Sequence, residues 1–308
     1  MRNYSLFKRM CVVLGATVSL YAVQPEVGEP NTADLVRAVR QSEMWLSEMD
    51  SLLIEATRTW TSTAQGTAKF RKKIEAQFDI LDPSETLFPE LKKSHEEMLY
   101  FAFDTSRFRF FMDKAGYCRH ERIWDGHELR FYDKHHHRKQ DTYTLTNDHD
   151  GVFYDSLVGH FGWPMSQYLT WRWTKPLDTQ ERRDREDYLG RAEDFIFVGK
   201  GDYRGVPCYV LEYRIMHKRL PSGMIRKWYV GQSKPLLHGL KYYSGDTLTS
   251  EIWTLDYKEV VSDGWLPQHT GWGFYDSKLL IFREMTSWCD IKVENIEVNK
   301  PLLMICLL

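Results

Sequence analysis

Five cysteines are scattered over 308 residues, at Cys11, Cys118, Cys208, Cys289 and Cys306, and no two stand in a Cys-x-x-Cys pair. So sparse a set excludes the disulfide framework that holds small secreted domains together, and buried free thiols are expected at Cys118 and Cys208, which fall in strand-like runs. An excess of charge of one sign is also lacking: 41 Lys and Arg stand against 43 Asp and Glu, a formal net charge of −2. No global positive field exists to steer the chain to nucleic acid. Enzyme signatures are missing as well. There is no G-x-S-x-G elbow, no Walker A sequence and no H-E-x-x-H helix, since "SHEEML" at 94–99 lacks the second histidine. The glycines of "VGKGDYRG" run into a strand-like segment rather than opening a helix, so they offer no helix N-terminus to a phosphate. No cofactor is expected, and no apolar run reaches the roughly 20 residues that a membrane-spanning helix needs.

What is present begins with Arg2, Lys8 and Arg9, followed by an apolar run from Met10 to Val23 and then a polar stretch with Pro and Gly. This is the order of a secretory signal, with cleavage expected after Ala22 or, failing cleavage, an N-terminal anchor. Residues 1–23 are therefore read as signal or anchor, residues 24–308 as one exported domain of the periplasm or cell envelope.

Within that domain, Leu35, Val39, Leu46 and Met49 recur at helical spacing and predict a helix over 33–49, with Asn31 or Thr32 as N-cap. "SLLIEATRTWTST" predicts a first strand. In 64–98, "TAKFRKKIEAQF" and "PELKKSHEEML" are helical or loop candidates. Alternating aromatic runs from residue 99 predict strands, and Asp125-Gly126 reads as a two-residue hairpin turn that lets Ile123 and Leu129 share a face. A short helix is expected to begin near Pro164, and the mixed charges of 178–194 read as a solvated connector. From "DFIFVGKGDY" onward, turn signals separate a succession of antiparallel strands with one apolar face, which must be buried against helices. The fold class expected is mainly β (α+β).

Three adjacent histidines, His135 to His137, suggest a metal. In extended chain, however, His135 and His137 point away from His136, and no carboxylate or cysteine spacing completes a ligand set with His120 or His127. A polar strand end is the simpler reading. The unusual feature is aromatic: 11 Trp, 17 Tyr and 16 Phe. Many must fill the sheet's core, yet gathered on one face they would line an apolar groove with polar tips, suited to an amphiphile.

The order of "RIWDGHELRFYD", "GKGDYRGVPCYVLEY", "RKWYVG" and "GWLPQHTGWGFY" resembles the outer-membrane lipoprotein-sorting (LolA-like) superfamily, most of all its divergent secreted members, over roughly 45–290. The resemblance implies a strongly curved antiparallel sheet of about eleven strands, an incomplete β-barrel wrapped over helices with an apolar hollow. It also implies a non-enzymatic carrier or sensor of a lipid, acyl chain or lipidated protein. The later strands offer Tyr209, Leu211, Tyr213, Trp228, Val230, Trp253, Leu255 and Tyr257 as the lining of that hollow. Two other readings stand beside it. One is a structural or regulatory module, binding envelope proteins, whose core is plugged by its own helices. The other is a metal-dependent hydrolase using His120, His127, His135 and His137. The chain closes on an almost wholly apolar run from Leu302, an aggregation risk if exposed.

Overall fold

The computed structural model describes residues 29–78, 91–114, 118–135, 140–146, 152–153, 155–166, 188–215, 223–275 and 285–300. Thr32–Leu308 form one compact unit; Met1–Asn31 are a separate one, of which only 29–31 are described. The segment read as a signal or anchor, His136 and His137, most of the charged connector, and the apolar C-terminal run lie outside the described residues.

The unit is mainly β. A single antiparallel sheet contains β1 (Leu52–Ser62), β2 (Ser94–Phe103), β3 (Phe108–Lys114), β4 (Cys118–Trp124), β5 (Leu129–His135), β6 (Gln140–Thr146), β7 (Ile196–Tyr203), β8 (Val206–Arg214), β9 (Met224–Gly231), β10 (Leu237–Ser244), β11 (Thr247–Val261), β12 (Gly264–Tyr275) and β13 (Met285–Val298). Their order across the sheet is β6-β5-β4-β3-β2-β1-β13-β12-β11-β10-β9-β8-β7. The sheet is open rather than closed into a barrel, with β6 and β7 at its edges and thirteen strands instead of about eleven. Two meanders thus meet at the centre, where Leu52 pairs with Val298 and Ser62 with Ser287.

The pairing fixes which side chains share a face. Leu211, Trp228, Leu240, Ile252, Trp272, Cys289, Trp60 and His95 follow one another from β8 to β2 as successive register partners. This is the inner face, because the helical segments pack on it. The neighbouring row, Val210, Tyr229, Gly239, Trp253 and Gly271, belongs to the outer face.

Two apolar clusters cover the inner face. Over β8–β10, α1 (Thr32–Glu43) buries Val36 and Val39 against Leu211, Tyr213, Trp228, Val230 and Phe195. A 3₁₀ turn over Met44–Glu48 then redirects the chain, and Leu46 and Met49 enter a second cluster with β1–β5. The sequence pattern gave one helix through 49; the change of cluster explains its break at 43. The second cluster is roofed by residues 152–166, where Phe153 sits among Phe101, Phe103 and Phe108 at ring distances of 5.3–5.4 Å. Ser166 closes the roof by donating from its hydroxyl and backbone N–H to the Glu43 carboxylate at 2.6 and 2.9 Å.

Two local expectations are corrected. "PELKKSHEEML" is not helical: its second half is the start of β2, in which His95 and Glu97 face inward. The β4–β5 turn is a two-residue one displaced by one position: the Asp125 N–H donates to the Glu128 carbonyl at 3.3 Å and its carboxylate accepts from the backbone N–H of His127 and Glu128, which leaves Gly126 and His127 at the tip. Trp124 therefore pairs with Leu129 on the core side, and Ile123 falls opposite Arg130. The helix expected to begin near Pro164 falls mostly outside the described residues; before it, a helical turn spans Asp155–Gly159. Free, buried Cys208 agrees with the sequence reading, and Cys289 is likewise free and buried.

Candidate functional site

A second helix, α2 (Ala64–Phe78), leaves β1 directly. Its start is tied down by Thr63, whose backbone N–H donates to the Thr286 carbonyl at 2.9 Å and whose hydroxyl accepts from the Gly66 N–H at 3.2 Å, an N-cap contact. Gly66 lets helix and β13 meet: a Cβ there would lie 2.3 Å from the Thr286 carbonyl oxygen. Past this anchor, Lys69, Phe70 and Lys73 come round on one side of the helix and face the end of the inner sheet surface.

Between helix and sheet lies a concavity of about 490 Å³. Its sheet wall is Arg58, Trp60 and Ser62 of β1, His95 of β2, Lys114 of β3, Phe274 of β12, and Thr286 and Ser287 of β13. Trp60 packs edge-on against Trp272 at 5.6 Å, and the Arg58 guanidinium lies 5.6 and 5.5 Å from these two rings. Phe274, 48% exposed, presents an uncovered apolar surface at the mouth. None of the described residues lining the concavity is acidic.

The floor is held by one buried carboxylate. Glu97 accepts from Arg58 Nε at 2.5 Å and from Trp60 Nε1 at 3.2 Å; His95 Nε2 and Lys114 Nζ lie 3.2 and 3.3 Å away. Burial alone would raise the Glu97 pKa, but the His95 hydrogen bond and the charges of Arg58 and Lys114 outweigh it and hold the carboxyl well below the usual carboxylate range.

A second titratable group, half-buried, lies nearby on the roof segment itself. His160 stacks on Phe110 at 4.5 Å and meets Asp155 at 3.6 Å. Burial, reinforced by Arg122, Arg58 and His120 and only partly opposed by Glu97, lowers its pKa from 6.5 to about 2. The unfolded chain therefore takes up this proton as pH falls below 6.5 while the folded protein does not, and stability declines with falling pH. His160→Gln is expected to flatten the fall of the urea midpoint between pH 6.5 and about 5, before most carboxylates titrate. An unchanged slope would show that His160 reaches water in the native state.

The eight lining residues read from the sequence do not form one surface. Leu211, Tyr213, Trp228 and Val230 share the inner face but are sealed under α1. Tyr209 is half-buried at the rim, 6.1 Å from Phe197. Trp253 and Leu255 belong to the outer cluster with Tyr203 and Cys208. Tyr257 donates its hydroxyl to the Leu237 carbonyl at 2.6 Å. The parity was carried across two hairpins whose registers shift at Leu237/Gly239 and Tyr242/Tyr243, so Ile252 rather than Trp253 faces with Trp228. The residues of the concavity went unread because Lys69 and Lys73 look like a solvated helix face; their spacing around Phe70 was the available signal. His120 and His127 lie on and beside β4, and His135 ends β5. Among the described residues no group of three His, Cys, Asp or Glu could hold a metal.

Fold and site together define an open antiparallel-sheet protein with a basic, aromatic-walled concavity under a helix. Solved structures of similar fold include an outer-membrane lipoprotein-sorting protein domain from Vibrio parahaemolyticus, 8% identical, covering 88% of this chain and 94% of that one with a TM-score of 0.45. A DUF1329 family protein from Desulfovibrio piger is 10% identical over 91% and 98% of the two chains, TM-score 0.44. A LolA superfamily protein from Nitrosomonas europaea is 9% identical over 91% and 98%, TM-score 0.40. No protein-family model and no curated protein matches the chain.

Proposed function

We propose that the chain is a non-enzymatic binding protein of the cell envelope that takes an acyl chain, from a lipid or a lipidated protein, into the concavity between α2 and the inner sheet face. The observation that carries the reading is the 490 Å³ concavity, with Trp60, Phe70 and Phe274 on its walls. Its size falls in the range of roughly 300–1,000 Å³ common for small-molecule sites. Burial of apolar surface, about 0.8 kcal/mol per methylene, is the driving force. Export rests on the order of charges and apolar residues in 1–23. Among the described residues no helix is long and apolar enough to cross a membrane.

Phe274→Asp is the direct test. The side chain is half exposed, so the change leaves the thermal midpoint nearly unaltered while placing a carboxylate where the acyl chain would pack. Affinity for monolaurin, followed by calorimetry, is expected to fall roughly tenfold or more, the equivalent of about 1.5–3 kcal/mol of lost apolar burial. Unchanged affinity in the folded variant would place the chain elsewhere. One observation favours the second reading, an interaction module with a plugged core: α1 already fills the inner face over β8–β10. That reading requires that the purified protein carry no lipid in native mass spectrometry and bind none.

A further inference from the structure

The size of the concavity limits what it can take. A methylene group fills about as much space as a water molecule in the liquid, roughly 30 Å³. The 490 Å³ between α2 and the sheet therefore holds about sixteen carbons at liquid-like packing, which is one acyl chain. A lipid with two such chains needs twice the room. Nor can the space widen without cost. At one end Thr63 and Gly66 fasten the helix to the Thr286 carbonyl, so closely that no room is left for a Cβ. One turn beyond Phe70, Ile74 is 2% exposed, so the helix is packed down again there. The opposite wall is fixed as well, because β1 and β13 stay paired from Leu52 to Ser62. Lifting α2 to admit a second chain would break the Thr63 and Gly66 contacts and uncover Ile74. What remains is apolar surface for a single chain, with Phe70 on the helix side and Trp60 and Phe274 on the sheet side.

We infer that the site is a slot for one acyl chain of up to about sixteen carbons, and that it selects single-chain lipids of the lysolipid class over lipids with two or more chains. The inference rests on the acyl-binding reading above and adds the number and length of the chains to it. A two-chain lipid that enters leaves its second chain in water, so it gains no more from the slot than a lysolipid does. A chain longer than the slot likewise leaves its excess carbons exposed.

The full chain should be titrated with lysophosphatidylcholines of eight to twenty carbons and with didecanoyl phosphatidylcholine, each below its micelle concentration, by displacement of dansylated undecanoic acid. The head is the same throughout, so only the chains differ. Affinity is expected to rise about fourfold with each carbon and to level off near about sixteen. Didecanoyl phosphatidylcholine is expected to bind within about tenfold of decanoyl lysophosphatidylcholine, whereas a second chain buried to half its length would add about a thousandfold. Phe70→Ala adds the space of the ring to the slot. It is expected to weaken every chain and to move the point of levelling to chains at least two carbons longer, and an unmoved point in the folded variant would overturn the placement of the slot. Affinity that climbs without a break to twenty carbons, or a didecanoyl lipid bound more than tenfold tighter than its lysolipid, would overturn the single-chain selection while leaving acyl binding standing. Failure of every lysolipid to displace the probe, or affinity indifferent to chain length, would overturn both.

Discussion

Glu97→Gln is expected to destabilise the protein by about 3–5 kcal/mol, the range found when one partner of a buried ion pair is removed. The magnitude follows from what stays behind. Arg58 is 4% exposed and Lys114 14%, and both are oriented on a carboxylate that is 0% exposed. The amide keeps the shape and can accept one hydrogen bond, but it cannot balance either charge. Urea denaturation at neutral pH measures the loss directly; a cost below about 1 kcal/mol would show that the cluster is solvated. Replacing Arg58 and Glu97 together by apolar residues of similar size is expected to cost less than the single change, because no charge is orphaned. The sign of the pH dependence is also fixed. A carboxyl with a lowered folded pKa contributes fully above its unfolded value of 4.5 and loses that contribution as pH falls further. The Gln variant should therefore lose stability less steeply than the parent below pH 4.5.

Phe153→Ala is the second large effect, again about 3–5 kcal/mol. The ring is fully buried and touches three phenylalanines from β2 and β3 edge-on. Truncation leaves a cavity that the sheet cannot close, because its backbone is held by ladders on both sides. Phe153→Leu should recover much of the loss. Since Phe153 belongs to the roof and not to the concavity, ligand affinity in the folded variant should stay within a few-fold of the parent at temperatures below its melting point. A large loss of affinity without loss of stability would instead tie the roof to the site.

The legible parts of the sequence were those in which local pattern and environment agree. The strands of the second half are set off by turn signals between apolar runs, and Val36 and Val39 mark a helix face because they are buried as one. The illegible parts have physical causes. In β2, the inward positions of a strand are occupied by His95 and Glu97, so the polar pattern points away from a strand until Arg58 and Lys114 are seen to neutralise Glu97 and His95 to hydrogen-bond with it. The neighbours of β1 could not be read either, since nothing in "LLIEATRTWTS" says that its partner lies more than two hundred residues later. The binding wall was invisible for the same reason. Trp60 and Phe274 are brought near each other only through β13, and a bulge or shifted turn moves any aromatic to the other face.

The junction of β1 with β13 has a kinetic consequence. Joining Leu52 to Val298 closes nearly the whole unit into one loop, so the sheet cannot be completed until β13 has been synthesised. Until β13 arrives, β1 presents a free edge of eleven residues flanked only by β2, with the backbone N–H and C=O groups of that edge open to any strand that passes. A nascent chain therefore spends its vulnerable interval with its future centre uncovered. Its solubility in that interval depends on whatever holds the first half apart from its neighbours, not on the stability of the finished sheet.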